Sequence, residues 1–308
     1  LYRLELVPRP IWDTRDAGVR RILKLMVPAL FGVSVSQINL LLDTVLASFL
    51  PTGSISWLYF SDRLAELPLG VFGVAIATVI LPNLSAHRAA EREGAFSSTL
   101  DWAVRSVLLV GVPAAAALIM LAEPILITLF QRGALTPFDV EMASFSLRAY
   151  CVGLVAFMLI KVLAPGFFAR KDTKTPVKIG IIAMAANMVM NLAFVFPLMY
   201  LWNVGHVGLA LATALAAWLN AGLLLRGLPA DGTYRPGAGW GIYAIRVVGA
   251  VIVMCVVLVM LNEEQSVWTA SDALTRAGML TQLVVAGAAS YFAAAFLFGI
   301  RWHAAPRD

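Results

Sequence analysis

Apolar residues in this chain form long unbroken runs, and the polar residues are confined to short stretches between them. A helix that crosses a bilayer needs about 20 mostly apolar residues. Eight runs meet that length: residues 26–50, 54–82, 100–121, 145–168, 177–201, 206–226, 240–261 and 277–300. The short alternating segments that mark β-barrel strands do not occur. The pattern predicts an all-α polytopic membrane protein with eight transmembrane helices.

Composition removes the soluble alternatives. Of the 308 residues, 60% are hydrophobic and 13% charged, and the mean hydropathy is +0.84. A soluble domain carries roughly 25% charged residues, so this chain cannot cover itself for water. The net charge of +5 does not signal nucleic acid, because the basic residues fall between the apolar runs rather than in one patch. Of the 23 Lys and Arg residues, 18 lie in one alternate set of connections: 1–25, 83–105, 169–178, 226–246 and 301–308. The opposite connections hold only Arg132, Arg148 and Arg276. The positive-inside rule makes the first set cytoplasmic and places both termini there. Trp57, Trp102, Tyr200, Trp202, Trp240, Trp268 and Trp302 fall near span ends, as interfacial anchors do.

Residues 1–25 read as a cytoplasmic connecting helix with a basic face, RRILK. Pro8 and Pro10 argue against a signal peptide, and the start at Leu1 reads as the continuation of a longer polypeptide. The stretch 227–239 (GLPADGTYRPGAG) has loop composition. It separates residues 26–226, with six spans, from residues 240–308, with two.

Polar residues inside the spans are the best pointers to function. Asp62, Arg63 and Glu66 lie in YFSDRLAELP; at about 100° per residue all three fall in one arc of about 100°. Two readings stay open. The cluster neutralises itself through Arg63 and Glu66 at i,i+3, or Arg63 binds an anion in a wet cavity, positioned by the carboxylates. An arginine suits phosphate because its planar fork bonds in bidentate fashion. Pro68 would kink this helix. Asp43 sits in the first span with no basic neighbour in sequence. Asn187 and Asn191 share a helix face at i,i+4, and Thr213 adds a hydroxyl. Oxygen ligands of this kind suit a hard cation such as Na⁺, and equally they suit interhelical hydrogen bonding. Ser34, Ser36, Gln37 and Asn39 make the first span polar enough to line a cavity. Lys161 either snorkels to the interface or faces that cavity. Cys151 and Cys255 sit in apolar runs and read as packing residues. His87, His206 and His303 are scattered, which suggests no metal site. No nucleophile–base pair or phosphate-cradling glycine loop occurs, so no enzyme is expected.

Three stretches carry a family resemblance: GVSVSQINLLLDTVLASFLPTGSISWLYFSDRLAELPLGVFGVAIATVILPNLS (32–85), TLFQRGALTPFD (128–139) and KVLAPGFFARKDTKTPVKI (161–179). They resemble the MurJ (MviN) family of lipid II flippases, within the MOP transporter superfamily. The resemblance implies fourteen spans in the whole protein, of which this chain is similar to the last eight. These would be the second six-helix lobe plus two further helices that form a groove for a lipid tail. It implies movement of the undecaprenyl-diphosphate-linked peptidoglycan precursor, lipid II, from the inner to the outer leaflet of the bacterial inner membrane by alternating access. Arg63 matches the family's cavity arginine, with Asp62, Glu66, Ser34, Gln37, Asn39 and Lys161 as further candidate substrate contacts. Asp43, Asn187, Asn191 and Thr213 match places where some members hold Na⁺, the one cofactor in question. The expected partners are lipid II, membrane lipids and the missing N-terminal lobe. The rival readings are another MOP exporter, for drugs or polysaccharide-linked lipids, and a non-transporting scaffold subunit. Charges within the spans total −1, so the chain alone is a poor host for a diphosphate.

Overall fold

The computed structural model describes residues 16, 19, 20, 26, 37–230 and 234–300. Within them every regular element is helical. Helix α1 covers residues 37–48. Helix α2 (Ser54–Pro68) runs through one wide π-helical turn (Leu69–Gly73) into α3 (Val74–Ala89). Then come α4 (Glu93–Met120), α5 (Ala122–Phe130), α6 (Pro137–Phe168), α7 (Lys174–Trp202), α8 (Gly205–Ala230), α9 (Trp240–Leu261), α10 (Gln265–Ala270) and α11 (Ala273–Leu297). Among the described residues seven helices are long and apolar enough to cross a membrane: α2–α3 as one rod, α4, α6, α7, α8, α9 and α11. Of the eighth expected span, 26–50, residues 27–36 fall outside the described residues, Ser34 and Ser36 among them, as do Trp302 and nearly all of the expected connecting helix.

The ends of the helices follow local chemistry. Helix α6 begins eight residues before its apolar run because Thr136 and Asp139 form a capping box around Pro137. The Asp139 N–H donates to Thr136 Oγ1 at 3.2 Å and the Thr136 N–H to Asp139 Oδ2 at 2.9 Å, which satisfies donors that the first turn leaves open. The connection between the apolar runs 100–121 and 145–168 therefore holds α5 and the first turns of α6. Helix α7 stops at Asn203, which takes a left-handed conformation (φ 57°) and hands its N–H to Met199 O at 3.0 Å. Pro68 does not break α2. Its missing N–H is absorbed by the wide turn that follows, and the rod continues to Ala89.

Helix α6 is the central post. Two thirds (67%) of its apolar window is buried, against 22% for α9 and for the α2–α3 rod. It packs on α8, α4, α2, α3 and α5. Its approach to α8 depends on Gly153, where an added Cβ would lie 2.6 Å from Ala214 Cα. Helices α7 and α8 close in the same way at Gly208, where a Cβ would meet Phe194 and Val195 backbone at 2.9 Å. Small residues at crossings let helix backbones approach in lipid, where no hydrophobic force separates helix from hydrocarbon. Helices α9 and α11 pair with each other; α9 leans on α4 and α11 on α5. The Tyr291 hydroxyl of α11 donates to Leu109 O of α4 at 2.6 Å.

The outer faces expose Val71, Leu192, Phe196, Ile252, Val256 and Phe296, as a lipid-facing surface requires. Tyr200 and Trp202 project at one end of α7 and fit interfacial anchors. Trp57 and Trp268 do not; both are buried. The Trp57 indole donates to Asp139 Oδ1 at 2.9 Å and lies 4.8 Å from the buried His206 ring.

Candidate functional site

Three helices bring four of the singled-out polar side chains into a closed ring. Asn191 Nδ2 donates to Asp43 Oδ1 at 2.7 Å and to Asn187 Oδ1 at 3.1 Å. Asn187 Nδ2 donates to Thr213 Oγ1 at 3.3 Å, and that hydroxyl donates to Asp43 Oδ2, also at 3.3 Å. Asn39, one turn before Asp43 on α1, adds a weaker bond to Asp43 Oδ2 at 3.4 Å. The i,i+4 spacing on α7 puts both amides on one face, and α1 and α8 close the ring from either side. Asn187 and Asn191 are fully buried. Asp43 has no ion pair among the described residues, so amides and a hydroxyl alone solvate its carboxylate.

Two buried acceptors in this cluster lack partners: Asn191 Oδ1 and Asn39 Oδ1. An orphaned acceptor at bilayer depth costs about 1–3 kcal/mol. Turning the Asn191 amide over would aim Oδ1 at the carboxylate, an arrangement that a cation or a proton between the oxygens can stabilise. The donor set of carboxylate, amide carbonyl and hydroxyl oxygens fits a hard monovalent or divalent ion. The ring is not sealed. Asn39, Asn187 and Thr213 also line a cavity of about 770 Å³, which extends past Lys161 to Thr173 and Pro176 at the start of α7. Lys161 is therefore a wall of this cavity and has no ion pair among the described residues. Gln37 is exposed on α1.

The charged arc lies elsewhere. Arg63 Nη1 donates to Glu66 Oε2 at 2.7 Å, with both side chains 52% exposed, and the guanidinium stands 5.2 Å above the Tyr59 ring. Both readings of the arc survive: the pair neutralises itself, and it does so on an open face. Asp62, Arg63 and Glu66 do not line this cavity. Arg63 and Glu66 stand on an open face, whereas Asp62 is half-buried.

One cluster was not foreseen. Asp101 of α4, largely buried, accepts four hydrogen bonds: from Arg105 Nε at 2.8 Å, Tyr234 Oη at 3.0 Å, Gly237 N at 3.1 Å and Trp240 Nε1 at 2.8 Å. Arg105 continues to Ala238 O at 3.0 Å and sits over the Trp240 and Tyr243 rings at 4.9 and 5.4 Å. This knot ties the 234–239 segment and the start of α9 to α4. Burial, with negative Asp101 beside it, pushes the Tyr234 hydroxyl well above the usual phenol range, so it stays a donor at neutral pH. The sequence signal was Asp101 and Arg105 at i,i+4, a spacing common on any helix surface.

Seven long apolar helices among the described residues, around a polar interior, define a polytopic membrane protein. Comparison with known proteins narrows the class. The family model described as lipid II flippase MurJ matches residues 1–277. The probable lipid II flippase MurJ of Haemophilus influenzae is 52% identical over 305 residues, covering 97% of this chain and 58% of that protein. Its counterpart in Vibrio cholerae is 50% identical over 301 residues, covering 98% and 56%. The lipid II flippase MurJ of Burkholderia cenocepacia is 38% identical over 310 residues, covering 98% and 58%. A solved structure of lipid II flippase MurJ in an inward closed conformation shares the fold, with TM-score 0.75 at 24% identity over 96% of this chain and 58% of that one. The chain belongs to the MurJ lipid II flippase family, multi-pass proteins of the bacterial inner membrane. It spans a little over half the length of the relatives it matches.

Proposed function

We propose that this chain is the second lobe and final helix pair of a lipid II flippase, which moves the undecaprenyl-diphosphate-linked precursor from the inner to the outer leaflet by alternating access. The observation that carries this reading is the open face of the α2–α3 rod. A half-exposed Arg63–Glu66 pair at bilayer depth has to meet water or a protein partner, since charge facing hydrocarbon costs on the order of 3 kcal/mol or more. A first lobe facing it would enclose a wet cavity. Its basic residues would offset Asp62 and Glu66 and free Arg63 for the diphosphate. In this reading Ser34, Gln37, Asn39 and Lys161 are further contacts on the substrate's path, and the groove of α9 and α11 takes the lipid tail.

The test is growth of cells that depend on this flippase, supplied with the first lobe as well. Arg63→Ala is expected to abolish rescue at normal expression and Arg63→Lys to restore it in part, because an ammonium keeps the charge and loses the bidentate fork. Rescue by Arg63→Ala as good as wild type would remove the diphosphate role.

The ring of Asp43, Asn187, Asn191 and Thr213 is proposed to hold Na⁺, supported by the orphaned Asn191 and Asn39 oxygens. Sodium is expected to raise the thermal midpoint of the purified chain, and Asp43→Asn to remove that shift. At a Na⁺ concentration 100 times Kd the gain is about 2.7 kcal/mol. Equal Na⁺ shifts in the two proteins would rule the ring out.

The proposed topology has eight spans with both termini in the cytoplasm. Cysteines introduced at Thr52 and Thr173, both exposed, are expected to label from opposite sides of the membrane. Labelling of both from one side would overturn that topology.

A further inference from the structure

A second cavity, about 840 Å³, lies between α4, the 234–239 segment, α9 and the residues just past α11. It shares no lining residue with the 770 Å³ cavity or the charged arc. Three arginines line it: Arg105, Arg235 and Arg246. The charge of Arg105 is spent on Asp101. The other two have no ion pair among the described residues. The Arg235 side chain has no hydrogen bond or ion pair among the described residues, although its backbone is fixed by reciprocal bonds with Ser97 Oγ at 2.9 and 3.1 Å. Arg246 gives one hydrogen bond, to Gly299 O at 3.1 Å. Three guanidiniums and one carboxylate, Asp101, line the cavity and leave it a formal +2; that surplus calls for an anion, and a phosphate matches the guanidinium fork.

The remaining lining says where that phosphate comes from. Leu109, Ile242 and Ile300 share the walls with the arginines, so the cavity is charged and apolar at once. A free phosphate gains nothing from apolar wall; the glycerol and upper acyl carbons of a lipid do. The cavity opens at the basic end of the bundle, where Trp240 starts α9, and basic pockets between membrane helices suit anionic headgroups. We propose that this cavity binds the phosphate of an anionic glycerophospholipid through Arg235 and Arg246. The proposal goes beyond the flippase reading and does not rest on it.

The test uses the purified full chain in detergent, with native mass spectrometry to count bound lipid. Phosphatidylglycerol is expected to be retained in preference to phosphatidylcholine. The double variant Arg235→Ala, Arg246→Ala is expected to weaken phosphatidylglycerol binding on the order of 25-fold, about fivefold per arginine. Arg88→Ala, an exposed arginine outside the cavity, is expected to leave it unchanged. Both variants alter exposed side chains, and an unchanged thermal midpoint without lipid verifies folding. The proposal is overturned by equal retention of the two lipids or by a double variant that binds like wild type. Displacement of phosphatidylglycerol by millimolar inorganic phosphate would reassign the cavity to a free anion and overturn it too.

Discussion

Asp101→Ala is expected to destabilise the chain by about 3–5 kcal/mol, as breaking a buried ion pair by removal of one partner does. The carboxylate accepts four donors from three separate segments. Without it the Arg105 guanidinium keeps one hydrogen bond, to Ala238 O, and its stacking on the Trp240 and Tyr243 rings, while the Tyr234 hydroxyl, the Trp240 indole and the Gly237 N–H lose their acceptor. Each orphaned donor costs about 1–3 kcal/mol, and they share one network, so the costs do not add in full. Asp101 is only 13% exposed, which leaves little solvent to take over. The loss has a location as well as a size. The 234–239 segment is held to α4 mainly by this residue and Ser97, so Arg235 is expected to become an early site of trypsin cleavage. Asp101→Asn keeps one acceptor oxygen and is expected to lose less. A thermal midpoint and a tryptic pattern like wild type for Asp101→Ala would show that the knot contributes little.

Gly153→Val is expected to reduce the folded yield sharply. The nearest atom to an added Cβ is Ala214 Cα, at 2.6 Å, with Ala214 Cβ at 2.8 Å. Backbone cannot turn aside as a side-chain tip can, so α6 and α8 have to move apart. Overpacking costs typically about 1–3 kcal/mol. Here it falls on the most buried helix of the bundle, and parting α8 from α6 also pulls Thr213 away from Asp43. The control is Gly222→Ala on α8, where nothing lies within 4 Å. That change is expected to be neutral or to stabilise by up to about 1 kcal/mol through helix propensity. Adding Ala214→Gly to Gly153→Val is expected to rescue only in part, because the Cα remains in place. Full rescue would show that the crossing is limited by side chains rather than backbone.

Much of the helix plan was legible because a span leaves a signal of the right length in a single variable, hydropathy. What hydropathy does not carry is where a helix starts outside the apolar run. The early start of α6 was written instead in Thr136, Pro137 and Asp139, a capping signature inside the connection between two apolar runs. The aromatic residues divide for a related reason. Tyr200 and Trp202 sit where a belt would, whereas Trp57 and Trp268 are buried, and position near a span end does not tell the two apart. In the polar ring the i,i+4 spacing of Asn187 and Asn191 could be seen directly. Its closure by Asp43, 148 residues away from Asn191, depends on which helices are neighbours, which spacing cannot say. The Asp101 knot was hidden for the same reason. Its partners in the sequence are 133 to 139 residues off, and only Arg105 is local.

The α2–α3 rod is unbroken for 36 residues, about 54 Å at 1.5 Å per residue, while the hydrocarbon core is only about 30 Å thick. A rod that long is a lever. Its fulcrum is the end anchored by buried Trp57, about one and a half turns of helix before Asp62 and Arg63, and its free arm reaches His87 and Arg88. A small pivot near the charged residues becomes a large sweep at the far tip. The wide turn at Leu69–Gly73 divides the lever into two arms of nearly equal length, 15 and 16 residues, so the charged residues and the far tip stand on opposite sides of one joint.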